Sequence, residues 1–227
     1  MAQGRFITFE GGDGAGKSTQ VRLLQDSLLA AGIGVVTTRE PGGTEQAERI
    51  RNLLLQRDSG RFEPLTEALL HFAARHEHLT QKIQPALARG AFVISDRFAD
   101  STRAFQGYGM GLDSDSIEKL YQVAVGDFAP DLTFVFDIDP EVGLSRSLKQ
   151  NASSARVLEK TEDRYERMGA EFQRRLRQGF LDIAKAEPLR CVLIDAAQPV
   201  EAIHAQIIAT VEKRFGLKLQ AKAAAHG

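Results

Sequence analysis

The chain has 227 residues, 43% of them apolar, which suits one large α/β domain and excludes disorder over most of its length. A formal charge of −1, from 29 basic and 30 acidic side chains interspersed, offers no basic footprint for a nucleic acid. A single cysteine, Cys191, removes disulfide frameworks and cysteine-based zinc sites, and its apolar neighbours predict a buried, inert thiol. No apolar run reaches membrane-spanning length and the N-terminus lacks a signal-type core, so a cytoplasmic protein with no membrane partner is expected.

Taken in chain order, β-rich runs fall at Arg5–Phe9, Gly34–Thr38, Ala91–Ser95, Leu132–Asp137 and Arg190–Asp195. Helical periodicity lies between and after them, near Ser18–Ala31, Glu45–Gln56, Leu65–Arg75, His78–Arg89, Ser114–Val125, Arg164–Ala186 and Val200–Phe215. Such alternation predicts a parallel sheet with covering helices. No repeat or Pro/Ser-rich linker divides residues 1–216, which read as one domain. The polar, basic stretch Lys149–Lys160 reads as mobile, and residues 217–227 as a disordered tail with nothing to bury.

Gly11-Gly12-Asp13-Gly14-Ala15-Gly16-Lys17-Ser18 sits between the first strand and the first helix, the setting of a phosphate-binding loop. Backbone N–H groups would line a concavity, Lys17 would reach the β- and γ-phosphates, and the Ser18 hydroxyl would ligate Mg²⁺. Ligands of open parallel sheets gather beyond the strand C-termini. Each further strand here also ends in a polar group: Arg39-Glu40-Pro41-Gly42-Gly43, Asp96-Arg97-Phe98, Asp137-Ile138-Asp139-Pro140 and Asp195-Ala196-Ala197-Gln198-Pro199.

Asp96 would hold the Mg²⁺ shell through water while Arg97 clamps an anionic phosphate; the alternative is an ion pair bracing a strand end. Arg39 to Gly43 is either a ligand-facing turn or an ordinary β-turn, with Arg51 on the next helix a second phosphate contact or a solvated charge. Asp13 would repel phosphates unless a metal or donor intervened, so it is read as facing a substrate hydroxyl or hydrated Mg²⁺. The segment from Arg146 to Arg167, with Lys149, Arg156, Lys160 and Arg164, reads as a basic lid over the donor phosphates. The histidines show no metal-ligand spacing; His71, His76 and His78 read as surface or packing residues.

The runs Phe9-Glu10-Gly11-Gly12-Asp13-Gly14-Ala15-Gly16-Lys17-Ser18-Thr19 and Thr38-Arg39-Glu40-Pro41-Gly42-Gly43-Thr44 carry a family resemblance, as does Asp96-Arg97-Phe98 followed by Ser101, Ala104, Phe105 and Gln106. Together they resemble the thymidylate kinase family, over nearly the whole chain. The resemblance implies a P-loop kinase fold, a five-stranded parallel sheet covered on both faces, with a mobile lid about residues 146–164. It implies phosphorylation of dTMP to dTDP by ATP with Mg²⁺, in a homodimer. ATP would be held by Gly11 to Thr19, with the Ala197-Gln198-Pro199 turn against adenine. Asp13 would contact the deoxyribose hydroxyl or a metal-bound water, and Arg97 would lie between donor and acceptor phosphates. Arg39 and Arg51 would hold the dTMP phosphate beside Glu40, Pro41 and Ser101. Arg75 would bond a thymine carbonyl, Thr102 and Gln106 would face the base edge, and Phe105 would lie against the sugar. Two departures stand out. The usual ring-stacking position is His71, with Phe72 beside it and favoured as the stacking ring. Position 14, an arginine in some members, is glycine, which shifts that role to the lid: Arg164 first, Arg156 next.

Overall fold

The computed structural model describes residues 4–55, 62–153, 165 and 168–219. Five strands, β1 (Arg5–Gly11), β2 (Val35–Arg39), β3 (Phe92–Asp96), β4 (Leu132–Asp137) and β5 (Cys191–Asp195), form one parallel sheet in the order β2-β3-β1-β4-β5. All five expected strands are present, with ends displaced by at most two residues. The helices are α1 (Lys17–Ala30), α2 (Glu45–Leu55), α3 (Pro64–His78), α4 (Gln84–Ala88), α5 (Ala99–Thr102), α6 (Ser114–Ala124), α7 (Pro140–Ser153), α8 (Gly169–Ala186) and α9 (Val200–Phe215).

The sheet is apolar on both faces because both are covered. Ile7 and Phe9 of β1 join Phe134 and Phe136 of β4 beneath Leu24 and Leu28 of α1 and Ile203 and Ile207 of α9. Phe6 and Val93 point the other way, into a cluster with Phe72, Leu79, Phe98 and Ile117. Beside it, Val135 and Cys191 pack with Phe105 and with Phe172, Leu176 and Phe180 of α8. Phe134 is fully buried, with its ring centroid 5.3 Å from that of Phe9. Truncating it to alanine would cost about 3–5 kcal/mol. The period-2 alternation that sends Ile7 and Phe9 to one face sends Phe6, Thr8 and Glu10 to the other, and so carries a carboxylate beneath the site.

Three segments differ from expectation. The two helices predicted at Leu65–Arg75 and His78–Arg89 are continuous: α3 passes through a π-helical stretch, Leu79–Ile83, into α4. The wider turn precedes Pro85, whose ring would crowd an ordinary α turn. Lys149 to Ser153, expected to be mobile, continue α7, which Pro140 opens at a position that needs no N–H. Leu217 and Leu219, placed in a tail with nothing to bury, pack against the α1/α9 cluster, and Leu219 N–H donates to Glu212 Oε1 at 2.6 Å. No helix among the described residues is long and apolar enough to cross a membrane.

Candidate active site

β1 occupies the centre of the sheet, so the turn that leaves it emerges between the ends of β3 and β4, where the strand order switches direction. That turn is the glycine loop. Gly11, at φ 131°, passes so close to β4 that a Cβ there would lie 2.4 Å from the Phe136 carbonyl oxygen. Gly14, at φ 71°, abuts α7: its Cβ would stand 2.0 Å from the Gly143 carbonyl oxygen. Both positions combine left-handed backbone with contact on main chain, which only glycine tolerates. Gly16 leads into α1, whose second residue, Ser18, donates its hydroxyl to Asp96 Oδ2 at 2.8 Å. The buried Lys17 ammonium donates to the carbonyls of Gly11 (3.1 Å) and Gly12 (2.7 Å). Burial, and then the Arg97 charge, lowers its pKa against the pull of Asp96, Asp13 and Glu10.

Asp96 ends β3, and Arg97 follows with φ 72°, the one non-glycine residue with positive φ among those described. Such backbone costs about 1–3 kcal/mol and recurs where function over-determines it. It turns the guanidinium back over the loop: Nη1 donates to Gly11 O (2.8 Å) and Ser101 Oγ (3.1 Å), and Nη2 to Asp13 Oδ1 (2.6 Å). The guanidinium also lies 5.0 Å over the Phe105 ring. Ser101 in turn donates to Glu10 Oε2 at 2.5 Å, while Glu10 Oε1 accepts from Phe98 N–H at 2.7 Å. Burial first, then the Asp100 charge, pushes the Glu10 carboxyl up to about 8, against opposing pulls from Ser101, Arg97 and Phe98.

A second polar group lies across α3. Arg75, fully buried, donates from Nε to Glu40 Oε2 (2.7 Å) and from Nη2 to the Phe98 carbonyl (3.0 Å) and Thr102 Oγ1 (3.1 Å). Its Nη1 is buried without a hydrogen-bond acceptor among the described residues. Glu40 Oε1 also accepts from His78 Nδ1 at 3.0 Å, and His78 Nε2 lies 2.6 Å from Thr38 Oγ1. Two helical turns before Arg75, Glu67 Oε1 accepts from Gln106 Nε2 at 2.7 Å and from the Tyr165 hydroxyl. Gln106 and Phe105 lie on a π-helical segment, Arg103–Gly109, of the kind that often marks functional sites.

The thymidylate kinase family model matches residues 9–207. A thymidylate kinase of Caulobacter vibrioides is 48% identical over 217 residues, covering 96% of this chain and 100% of that protein. One of Magnetococcus marinus is 48% identical over 213 residues, 94% of this chain and 98% of its own. The crystal structure of thymidylate kinase from Ehrlichia chaffeensis superposes with a TM-score of 0.72 at 37% identity, over 92% of this chain and 99% of that one.

The chain belongs to the thymidylate kinase family.

Several residues implied by the thymidylate kinase resemblance converge at these two polar groups: Asp13, Lys17, Ser18, Asp96, Arg97 and Ser101 at one, Glu40, Arg75, Thr102 and Gln106 at the other. Arg51 is largely buried and donates to the Pro41 carbonyl at 2.8 Å, whereas Arg39 is half-exposed and pairs with Glu48 at 3.5 Å. Gln198 is exposed in the turn after β5, whose Ala196 carbonyl accepts from Arg146 of α7 at 2.8 Å. Arg156 and Arg164 lie outside the described residues.

Phe72, favoured as the stacking ring, packs within a core cluster. It is 2% exposed and packs edge-on to Tyr121, and the Arg75 guanidinium covers its face at 4.8 Å. The side chain that shares the helical stripe of Glu67 and Arg75 is His71, which is partly buried. The sequence also left Glu10, Glu67 and Tyr165 without roles and read His78 as surface or packing. A polar stripe on an apolar helix, Glu67, His71, Arg75 and His78, was the available signal.

Proposed function

We propose that this chain transfers the γ-phosphoryl group of ATP to dTMP, giving dTDP and ADP, with Arg97 between the two nucleotides. The observation that carries this reading is the Arg97 guanidinium, bonded at once to the glycine loop and to Ser101 on the acceptor side. An oxygen of the dTMP phosphate attacks the γ-phosphorus in line as the bond to the β-phosphate oxygen breaks. That phosphate, with a second pKa of about 6, is already largely dianionic at neutral pH and needs no general base. The protein's work is alignment and charge compensation. Lys17 leaves the Gly11 and Gly12 carbonyls for the donor phosphates, Arg97 offsets repulsion between the reacting groups, and Asp13 meets the sugar hydroxyl or a metal-bound water.

A divalent cation suits the oxygen pair that Ser18 and Asp96 present 2.8 Å apart, since hard cations prefer hydroxyl, carboxylate and water donors. Ser18 and, through water, Asp96 would hold Mg²⁺, which would supply charge neutralisation for the donor phosphates. Gly11 to Thr19 cradle ATP and Gln198 flanks adenine. Arg39, Arg51, Glu40 and Pro41 form the acceptor-phosphate side. Arg75, Thr102 and Gln106 read the base, Phe105 borders the sugar, and His71 supplies the ring contact.

Residues 1–216 act as one kinase domain, with 146–164 closing as a basic lid. Exposed Leu53, Leu65 and Leu69 on the neighbouring helices α2 and α3 support a homodimer, in the cytoplasm and without nucleic acid or membrane partners. The test is phosphoryl transfer from ATP with Mg²⁺ to dTMP, dUMP, AMP, CMP and GMP, with dTMP the preferred acceptor. Folded protein that leaves dTMP unphosphorylated defeats the proposal.

A further inference from the structure

Thymine and cytosine differ in what they present along one edge. Thymine offers a carbonyl acceptor and an N3–H donor, whereas cytosine offers an amino donor and a bare N3 acceptor. A site that prefers thymine must therefore show a donor and then an acceptor. Arg75 supplies the first: its Nη1 is buried with its hydrogens unused, and a guanidinium can only donate. Gln106 is different, because rotating a side-chain amide by half a turn exchanges its oxygen and nitrogen. Whether it complements thymine or cytosine depends on what holds it.

The surroundings of Gln106 decide the matter. Its side chain is 1% exposed, and its nitrogen lies 2.7 Å from Glu67 Oε1 and 3.2 Å from the Tyr165 hydroxyl. A carboxylate has no hydrogen to give. The Tyr165 hydroxyl spends its own hydrogen on Glu67, so toward Gln106 it has only a lone pair. Both neighbours therefore demand N–H, and the amide meets both demands only with its NH₂ group turned to them. Among the described residues no hydrogen bond ends on Gln106 Oε1. Phe105 and Phe172 hold the Tyr165 ring in place, with centroids 4.6 and 6.0 Å away.

We propose that Glu67 is a positioning residue for base selection, fixing the Gln106 amide with its oxygen toward the base so that the site accepts the N3–H of a thymine or uracil ring and rejects cytosine. The inference rests on the reading that Gln106 faces the base. It predicts that Glu67→Gln, which keeps the volume and can donate to a reversed Gln106, frees the amide to turn. A freely turning amide is competent about half the time, so the KM for dTMP should rise by only about twofold with kcat little changed, while the preference for dTMP over dCMP should shrink by about tenfold or more. Because uracil shows the same two groups, dUMP should weaken in step with dTMP. Loss of activity toward dTMP and dCMP in equal proportion would mean a merely structural role and would overturn the proposal, as would an unchanged dTMP/dCMP ratio.

Gln106→Met separates the two layers of the argument. If it leaves the dTMP KM unchanged, Gln106 does not read the base and the underlying reading fails. If it raises that KM while Glu67→Gln spares the dTMP/dCMP ratio, only the role of Glu67 fails. Should Glu67→Gln not fold, the intact protein provides the measurement. The side-chain NH₂ of Gln106, assigned by its loss in Gln106→Met, should exchange with solvent at least about tenfold more slowly than exposed glutamines do. Exchange at the rate of exposed glutamines would overturn the proposal.

Discussion

At the proposed phosphate end, the polar groups come from one continuous run, Gly11 to Ser18, joined by Asp96 and Arg97 from the adjacent strand. At the proposed base end, Glu40, Glu67, Arg75, His78 and Gln106 come from widely separated stretches and meet in buried hydrogen-bonded groups. The first group contains side chains resting on their own backbone, Lys17 above all, free to change partners when a triphosphate arrives. The second contains side chains already desolvated and braced, so recognition there costs little reordering. Charge on a phosphate is large and needs only approximate aim, whereas telling one pyrimidine from another depends on the direction of single hydrogen bonds.

The largest expected effect breaks the phosphate end. Arg97→Ala should lower kcat by about 10³-fold or more while the circular dichroism spectrum changes little. Near-normal turnover in that variant would remove Arg97 from the mechanism. Next, Arg75→Lys keeps the charge beside Glu40 but loses the planar fork, and should raise the dTMP KM by about ten- to a hundredfold with a smaller change in kcat. A variant that loses kcat instead would erase the division of labour between the two ends.

The third effect is on stability. Glu10, raised from 4.5 to about 8, holds a proton in the folded state that the unfolded chain has released. Its contribution to stability is full below the unfolded pKa and is lost as pH climbs through about 8. Denaturation midpoints measured from pH 5 to 9 should therefore fall more steeply in the wild type than in Glu10→Gln; parallel curves would contradict the shift. The smallest is Thr38→Val, which removes the hydroxyl from His78 and should cost about 1 kcal/mol, with the dTMP KM changing less than about threefold.

The same contrast explains what could be read before the structure. Gly11 to Ser18 is legible because backbone geometry, cation and hydroxyl are adjacent in the chain and flanked by strand and helix. Arg97 follows from its place at a strand end. Glu10, Glu67 and His78 are not legible in that way: each matters through a partner at least 38 residues distant, and alone each is only a polar side chain in an apolar stretch. Phe72 shows the converse. An aromatic next to the expected position draws attention, but helical spacing turns it toward Tyr121 and leaves His71 on the stripe. α7 was missed because its polar composition resembles a loop until its close seat against Gly14 is seen.

That seat limits how this enzyme's history can run. The oxygen facing Gly14 belongs to the main chain of α7, so no replacement at residue 143 removes it. A single codon change installing arginine at position 14 would drive its Cβ into that carbonyl, and the helix would have to be re-laid before the new side chain could serve. A cation delivered from this loop thus demands a different placement of the scaffold behind it.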